Sequence, residues 1–367
     1  MDKKFVMSIA AMAALTLVSC SSDDLDSFSD NSSKNEAISF DGYLGRSAVA
    51  VNGSRGSVET ADTLKKNGFG VFGKYDAEDS KTTDPNFFKN QKVTYSNTKW
   101  TYSPLKFWPT QGHIDFLAYA PYVENTTLTD GSKINNFTVA DKAAGQTDLL
   151  WANATGQISE DLTSTKKKVK FQFHHALSRL GYTVKLSGNY PSDKVTFTLK
   201  KITLAGSPDG TTKAFYTKGT IDLSKTSSDN KDLWSDYAID RQNFTWFEGT
   251  YNVTASAAHP DEANKDKDYL FVIPQDFSKT GEGTDKLYVI VEYDVIYKSG
   301  TPSTTITNKV YKQLPINFLQ GKAYKLNLTI GLPIEFDVDV DIVNGVDPWE
   351  DVNDGKGDID SWDDINH

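Results

Sequence analysis

Apolar and polar positions trade places along this chain in short runs. Ile38-Ser39-Phe40-Asp41-Gly42 alternates with the period of a half-buried strand. The same period, or a short apolar run between turn residues, recurs at 69–75 behind Asn67-Gly68, at 114–120 where Pro121 stops it, and at 148–152. Val93-Thr94-Tyr95 and Trp100-Thr101-Tyr102 flank Ser96-Asn97-Thr98-Lys99, a connection of hairpin size. Further runs read as strands at 169–173, 182–186, 195–199, 202–204, 219–223, 269–274, 287–295 and 323–330. The polar stretches around 76–90, 224–250 and 255–266 read as surface loops. No helical period lasts beyond two or three turns. Many short strands with Gly, Asn and Ser turns predict an all-β chain built from β-sandwiches.

Polarity also divides the chain. Residues 21–36 are polar and acidic with almost nothing to bury, which makes them a solvated linker. Residues 153–168 rise in polarity to Lys166-Lys167-Lys168 and mark a boundary between an N-terminal sandwich at 37–166 and a C-terminal one at 167–346. The three lysines read as a solvated strand edge rather than a binding patch. Residues 347–367 form an acidic tail.

Composition sharpens this picture in three places. Aromatic residues make up 12 % of the chain, with seven Trp, so core material is plentiful. A formal net charge of −10 argues against a nucleic-acid partner, which needs clustered Lys and Arg. The only cysteine, Cys20, ends the first apolar segment, so no intrachain disulfide is available. That segment has the layout of a secretory signal: Lys3 and Lys4, an apolar stretch to Val18, then small Ser19. The stretch is about fourteen residues, short of the roughly twenty needed to span a bilayer. Leu17-Val18-Ser19-Cys20 resembles the end of a bacterial lipoprotein signal, which implies that Cys20 is acylated and anchors the mature chain to the outer membrane.

Catalytic chemistry finds little to stand on. No motif selects a pair of carboxylates for glycoside hydrolysis, and no Gly-x-Ser-x-Gly elbow occurs. His174 and His175 are adjacent, so in an extended backbone they face opposite ways and cannot share a metal; they read as a packed or hydrogen-bonded pair of turn residues. The segment 351–360 places Asp351, Asn353, Asp358 and Asp360 around glycines, a weak calcium candidate whose register does not match a helix-loop-helix calcium loop. A flexible acidic tail accounts for it as well. The chain reads as a non-enzyme without a cofactor.

Several blocks in this order resemble the fimbrillins, subunits of the type V pili and related surface lipoproteins of Gram-negative bacteria. They are the Cys20 lipobox, Ile38-Ser39-Phe40 ahead of an arginine, Gly70-Val71-Phe72, Phe107-Trp108-Pro109 and 114–122. Asp148-Leu149-Leu150-Trp151-Ala152, the block 173–180, Ile273-Pro274-Gln275 and Gly321-Lys322-Ala323-Tyr324 complete the set. The resemblance implies two tandem transthyretin-like β-sandwich domains and assembly by strand exchange with other subunits. It further implies that a trypsin-like protease removes the first strand. The matching site is Arg46, with Arg55 as the fallback.

A donor strand is expected near the C-terminus, where Ile334, Phe336, Val338, Val340 and Ile342 alternate with four carboxylates. Burying five such side chains is worth roughly 1.5–3 kcal/mol each before ordering costs. The same alternation fits the last strand of the chain's own second domain. Two functions are therefore expected: a structural or adhesive pilus subunit, or a permanently anchored surface lipoprotein that binds glycans or host ligands.

Overall fold

The structure, a computed structural model, describes residues 36–44, 58–76, 84–158, 168–226, 233–256, 269–332 and 334–343. Strands dominate it. The α-helix Ala61–Asn67 begins at a capping box, in which Thr60 and Thr63 each accept the other's backbone N–H. It ends where Gly68 closes back on the Leu64 carbonyl at 2.8 Å.

Six strands of the first half form one sheet, in the order Lys99–Thr101, Phe88–Ser96, Phe69–Asp76, His113–Ala120, Leu150–Gln157 and His174–His175. Both faces of this sheet are covered. Phe69, Val71, Phe116 and Leu150 enter a smaller core, whereas Phe72, Leu117, Tyr119 and Trp151 enter a larger one. Burial on both faces explains why 114–120 is nearly all apolar. Gly70 lets two central strands approach, since a Cβ there would lie 2.4 Å from the Tyr119 ring.

The smaller core is closed on its other side by Ser39–Tyr43, paired in parallel with Lys168–Gln172. Val169, Phe171 and Phe173, which a division at 166/167 assigns to the second unit, bury in this smaller core. Ala176 and the residues after it enter the larger one.

The larger core lies between two four-stranded sheets. One runs Leu270–Val272, Ser178–Leu186, Ala323–Gly331, Glu335–Val343 and the other Phe244–Val253, Val195–Ala205, Tyr288–Tyr297, Thr304–Gln313. Tyr182 of the first packs edge-on against Trp246 of the second, with ring centroids 4.9 Å apart. The two halves also share a sheet: Lys133–Thr138 pairs with Lys218–Asp222, which pairs with Trp234–Ser235. Trp234 Nε1 donates to the Ala176 carbonyl at 2.7 Å across the same seam.

The strand pattern departs from expectation where strands lie at sheet edges. The stretch 224–250, read as a loop, contains the start of Phe244–Val253, which buries Phe244 and Trp246 but leaves Glu248, Gly249 and Thr250 exposed. Thr304–Gln313 fully buries only Asn308, with Val310 half-buried against the larger core, so its sequence carries almost no apolar face. The runs 195–199 and 202–204 are one strand, irregular between Leu199 and Lys201.

Candidate assembly groove

The first strand is inserted into the molecule rather than laid on it. Ile38, Phe40 and Leu44 are 1 %, 2 % and 1 % exposed. The Phe40 ring meets Phe88, Tyr102, Phe116 and Phe171 at centroid distances of 5.4, 5.3, 5.4 and 5.7 Å. Three of these rings belong to other strands of the smaller core, so the pocket for Phe40 exists only when the sandwich is closed. Position 42 faces the same way and holds glycine; a Cβ would stand 3.0 Å from the Phe69 ring.

Backbone bonds hold this segment from two directions. Residues 39–43 ladder onto 168–172, while upstream the Ile38 N–H donates to Lys106 O at 2.8 Å and the Trp108 N–H to Glu36 O at 3.0 Å. The Tyr102 hydroxyl donates to Ile38 O at 2.8 Å. Asp41, on the outward face, lies 3.8 Å from Lys168, and burial raises its carboxyl pKa despite that lysine. The three buried side chains together are worth about 5–9 kcal/mol of apolar transfer. Without the strand, a Phe-lined groove and one edge of 168–172 would face water, the condition that invites a replacement strand.

The last strand, Glu335–Val343, pairs antiparallel with Ala323–Gly331 and is the outer member of its sheet. Its apolar residues lie opposite Ile330, Leu328, Leu326 and Tyr324. Only Val338 is buried; Phe336 and Val340 are half-buried, and Ile334 and Ile342 are 66 % and 54 % exposed. Lys312 crosses from the facing sheet to the Asp337 carboxylate and, at 3.3 Å, to Val338 O. The strand therefore completes its own sandwich here, with much of its apolar stripe unused.

A third feature was not legible in the sequence. Glu59, Asp148 and His175 converge from three separate segments and are at most 1 % exposed. His175 Nδ1 lies 2.7 Å from Asp148 Oδ2, which also accepts the Glu59 N–H at 3.1 Å. Asn67 Nδ2 donates to Glu59 Oε1 at 2.8 Å. Burial, then the Asp148 charge, pushes the Glu59 carboxyl up to about 7. The cluster is sealed from solvent and ties three segments together. His174 points the other way, its ring 5.7 Å from Trp151. The two histidines thus form a short strand rather than the turn expected of them.

Cys20, Arg46, Arg55, residues 21–35 of the linker, the tail and the calcium candidates Asp351, Asn353, Asp358 and Asp360 lie outside the described residues. Among the described residues, no group of three His, Cys, Asp or Glu side chains is placed to hold a metal ion. No helix among them is long and apolar enough to cross a membrane.

The fold is similar to that of a fimbrial protein from Bacteroides vulgatus. Its crystal structure superposes with a TM-score of 0.62 over 84 % of this chain and 99 % of its own, at 21 % identity. The chain belongs to the fimbrillin-like family, whose model matches residues 57–349. It is also 26 % identical over 383 residues to the fimbrium subunit Fim1C of Phocaeicola vulgatus, covering 94 % of this chain and 97 % of that protein.

Proposed function

We propose that this chain is a fimbrial subunit exported as an outer-membrane lipoprotein on Cys20, freed by a trypsin-like cut after Arg46, and joined to the next subunit by strand replacement. The observation that carries this reading is the seat of Phe40. A strand with three fully buried apolar residues is followed within a few residues by Arg46, and then by Arg55. Cutting after either arginine severs the strand from the body while leaving its pocket intact. The detached strand then stays only as long as its contacts outlast those of a competitor.

The last strand is the competitor best suited to the task. It offers apolar residues at every second position, against three of four inward positions in the resident strand, where glycine occupies the fourth. It also gives up little by leaving, because four of its five apolar side chains are incompletely buried where they now sit. The two cores are read as two transthyretin-like sandwiches, the first closed by the strand to be exchanged and the second by the strand to be donated. A synthetic peptide of residues 334–343 provides the test. Added to protein cut after Arg46, it is expected to displace the N-terminal fragment that ends at Arg46, seen by mass spectrometry of the separated body. Retention of the fragment at saturating peptide would contradict strand replacement by this segment.

A further inference from the structure

Lys168–Gln172, the strand onto which the first strand ladders, has two unlike faces. Val169 and Phe171 point into the smaller core and are fully buried, while Lys168 and Lys170 alternate with them and stay half-buried on the outer face. Lys168 closes the run Lys166-Lys167-Lys168, of which the first two lie outside the described residues. The parallel register sets Ser39 opposite Lys168, Asp41 opposite Lys170 and Tyr43 opposite Gln172. Directly opposed residues share a face of the sheet, so Asp41 serves both lysines: it stands opposite Lys170, and its carboxylate lies 3.8 Å from Lys168 Nζ. Lys65, from the helix, adds a third positive charge that acts on the same carboxylate. The seat of the first strand thus has an apolar floor and a basic outer rail, and residues 39–43 bring one acid to it.

The last strand carries the complementary row. Glu335, Asp337, Asp339 and Asp341 occupy alternate positions, on the face opposite to Phe336, Val338 and Val340. Where the strand now sits, Asp337 meets Lys312, and Asp341 accepts from Asn327 Nδ2 at 2.7 Å. Laid along Lys168–Gln172 with its apolar residues inward, a strand of this pattern places a carboxylate opposite each lysine. The match holds in either strand direction and survives a slip of two residues, because the acids recur with the period of the sheet itself. The rail therefore selects the kind of strand, and the inward pockets fix its register. The Lys168 and Asp41 side chains are only 28 % and 21 % exposed, so charge pairs at this position are screened less than pairs in open solvent. A competitor without outward acids would give the half-buried lysines no cross-strand counter-charge, a penalty that turns attraction into discrimination.

We propose that Lys168 and Lys170, aided by Lys65, form a charge-selective rail that admits into the vacated seat the acid-faced last strand of a second copy of this chain. The rail rests on the strand-replacement reading and adds to it what the seat selects for beyond apolar side chains. The test uses the full chain cut after Arg46 and two peptides of residues 334–343. One is the parent sequence; the other carries Glu335→Gln, Asp337→Asn, Asp339→Asn and Asp341→Asn, which keeps the apolar face. Release of the N-terminal fragment is titrated by mass spectrometry at low and at high salt. At low salt the parent peptide is expected to be about fivefold to tenfold more effective than its neutral analogue, the worth of two cross-strand ion pairs. High salt is expected to shrink that gap to about twofold or less. With Lys168→Gln/Lys170→Gln the two peptides are expected to act nearly alike, whereas Lys168→Arg/Lys170→Arg keeps the preference, which separates lost charge from a damaged strand. Equal or better displacement by the neutral analogue from the parent protein, or a preference undiminished in the double glutamine variant, overturns the rail and leaves strand replacement standing. Displacement by neither peptide contradicts strand replacement by this segment and overturns the rail with it.

Discussion

Replacing Glu59 by glutamine should make the protein's stability less sensitive to pH, and the structure sets both the direction and the size. The Glu59 carboxyl is 1 % exposed and accepts a hydrogen bond from Asn67. Burial and the Asp148 charge raise its pKa from 4.5 to about 7. The folded state therefore keeps the proton between those values while the unfolded chain releases it. Stability from this proton is fully present below about pH 4.5 and is lost as the pH rises through about 7. A gap of this size corresponds to about 3 kcal/mol. Glutamine can still accept from Asn67 but cannot ionise. Urea unfolding at pH 5, 6, 7 and 8 should show Glu59→Gln gaining on the parent by up to about 3 kcal/mol across the series. A constant difference between the two, or a parent that gains on the variant with rising pH, would refute the assignment of a buried, proton-holding carboxyl at this position.

Three other changes probe the packing. Phe40→Ala should destabilise the uncut protein by about 3–5 kcal/mol in denaturant unfolding, the cost of an emptied aromatic site. Trp234→Phe removes the donor to Ala176 O and should cost about 1–3 kcal/mol, with the shared seam between the halves exchanging amide hydrogens faster. Deleting residues 334–367 should leave a folded, less stable monomer that cannot extend polymers. An unfolded product would show that the last strand is indispensable to its own sandwich.

How much of this was readable beforehand depends on burial asymmetry. Ile38 to Gly42 reads correctly because one face is buried and the other wet. The last strand reads as a strand for the same reason, yet alternation says nothing about which sheet it serves. Thr304–Gln313 is invisible because its place at a sheet edge leaves it almost no apolar face. The Glu59 cluster is invisible for a different reason. Its members are 89 and 27 positions apart in sequence, and each looks like an ordinary surface residue until the sheets bring them together. The Ile273-Pro274-Gln275 block marks its place without revealing its use; only the structure shows Gln275 bracing Asp285.

The central claim is that the first strand is a removable occupant, and one digestion tests it. The full precursor is treated with trypsin at low ratio, the body's new N-terminus is sequenced, and its mass is followed by light scattering. The account predicts a clean start at Ser47, or at Gly56 if Arg55 is the site used, followed by growth into polymers that Arg46→Ala/Arg55→Ala does not form. A chain that resists cleavage at both arginines, or that is cut there and remains a monomer, contradicts it.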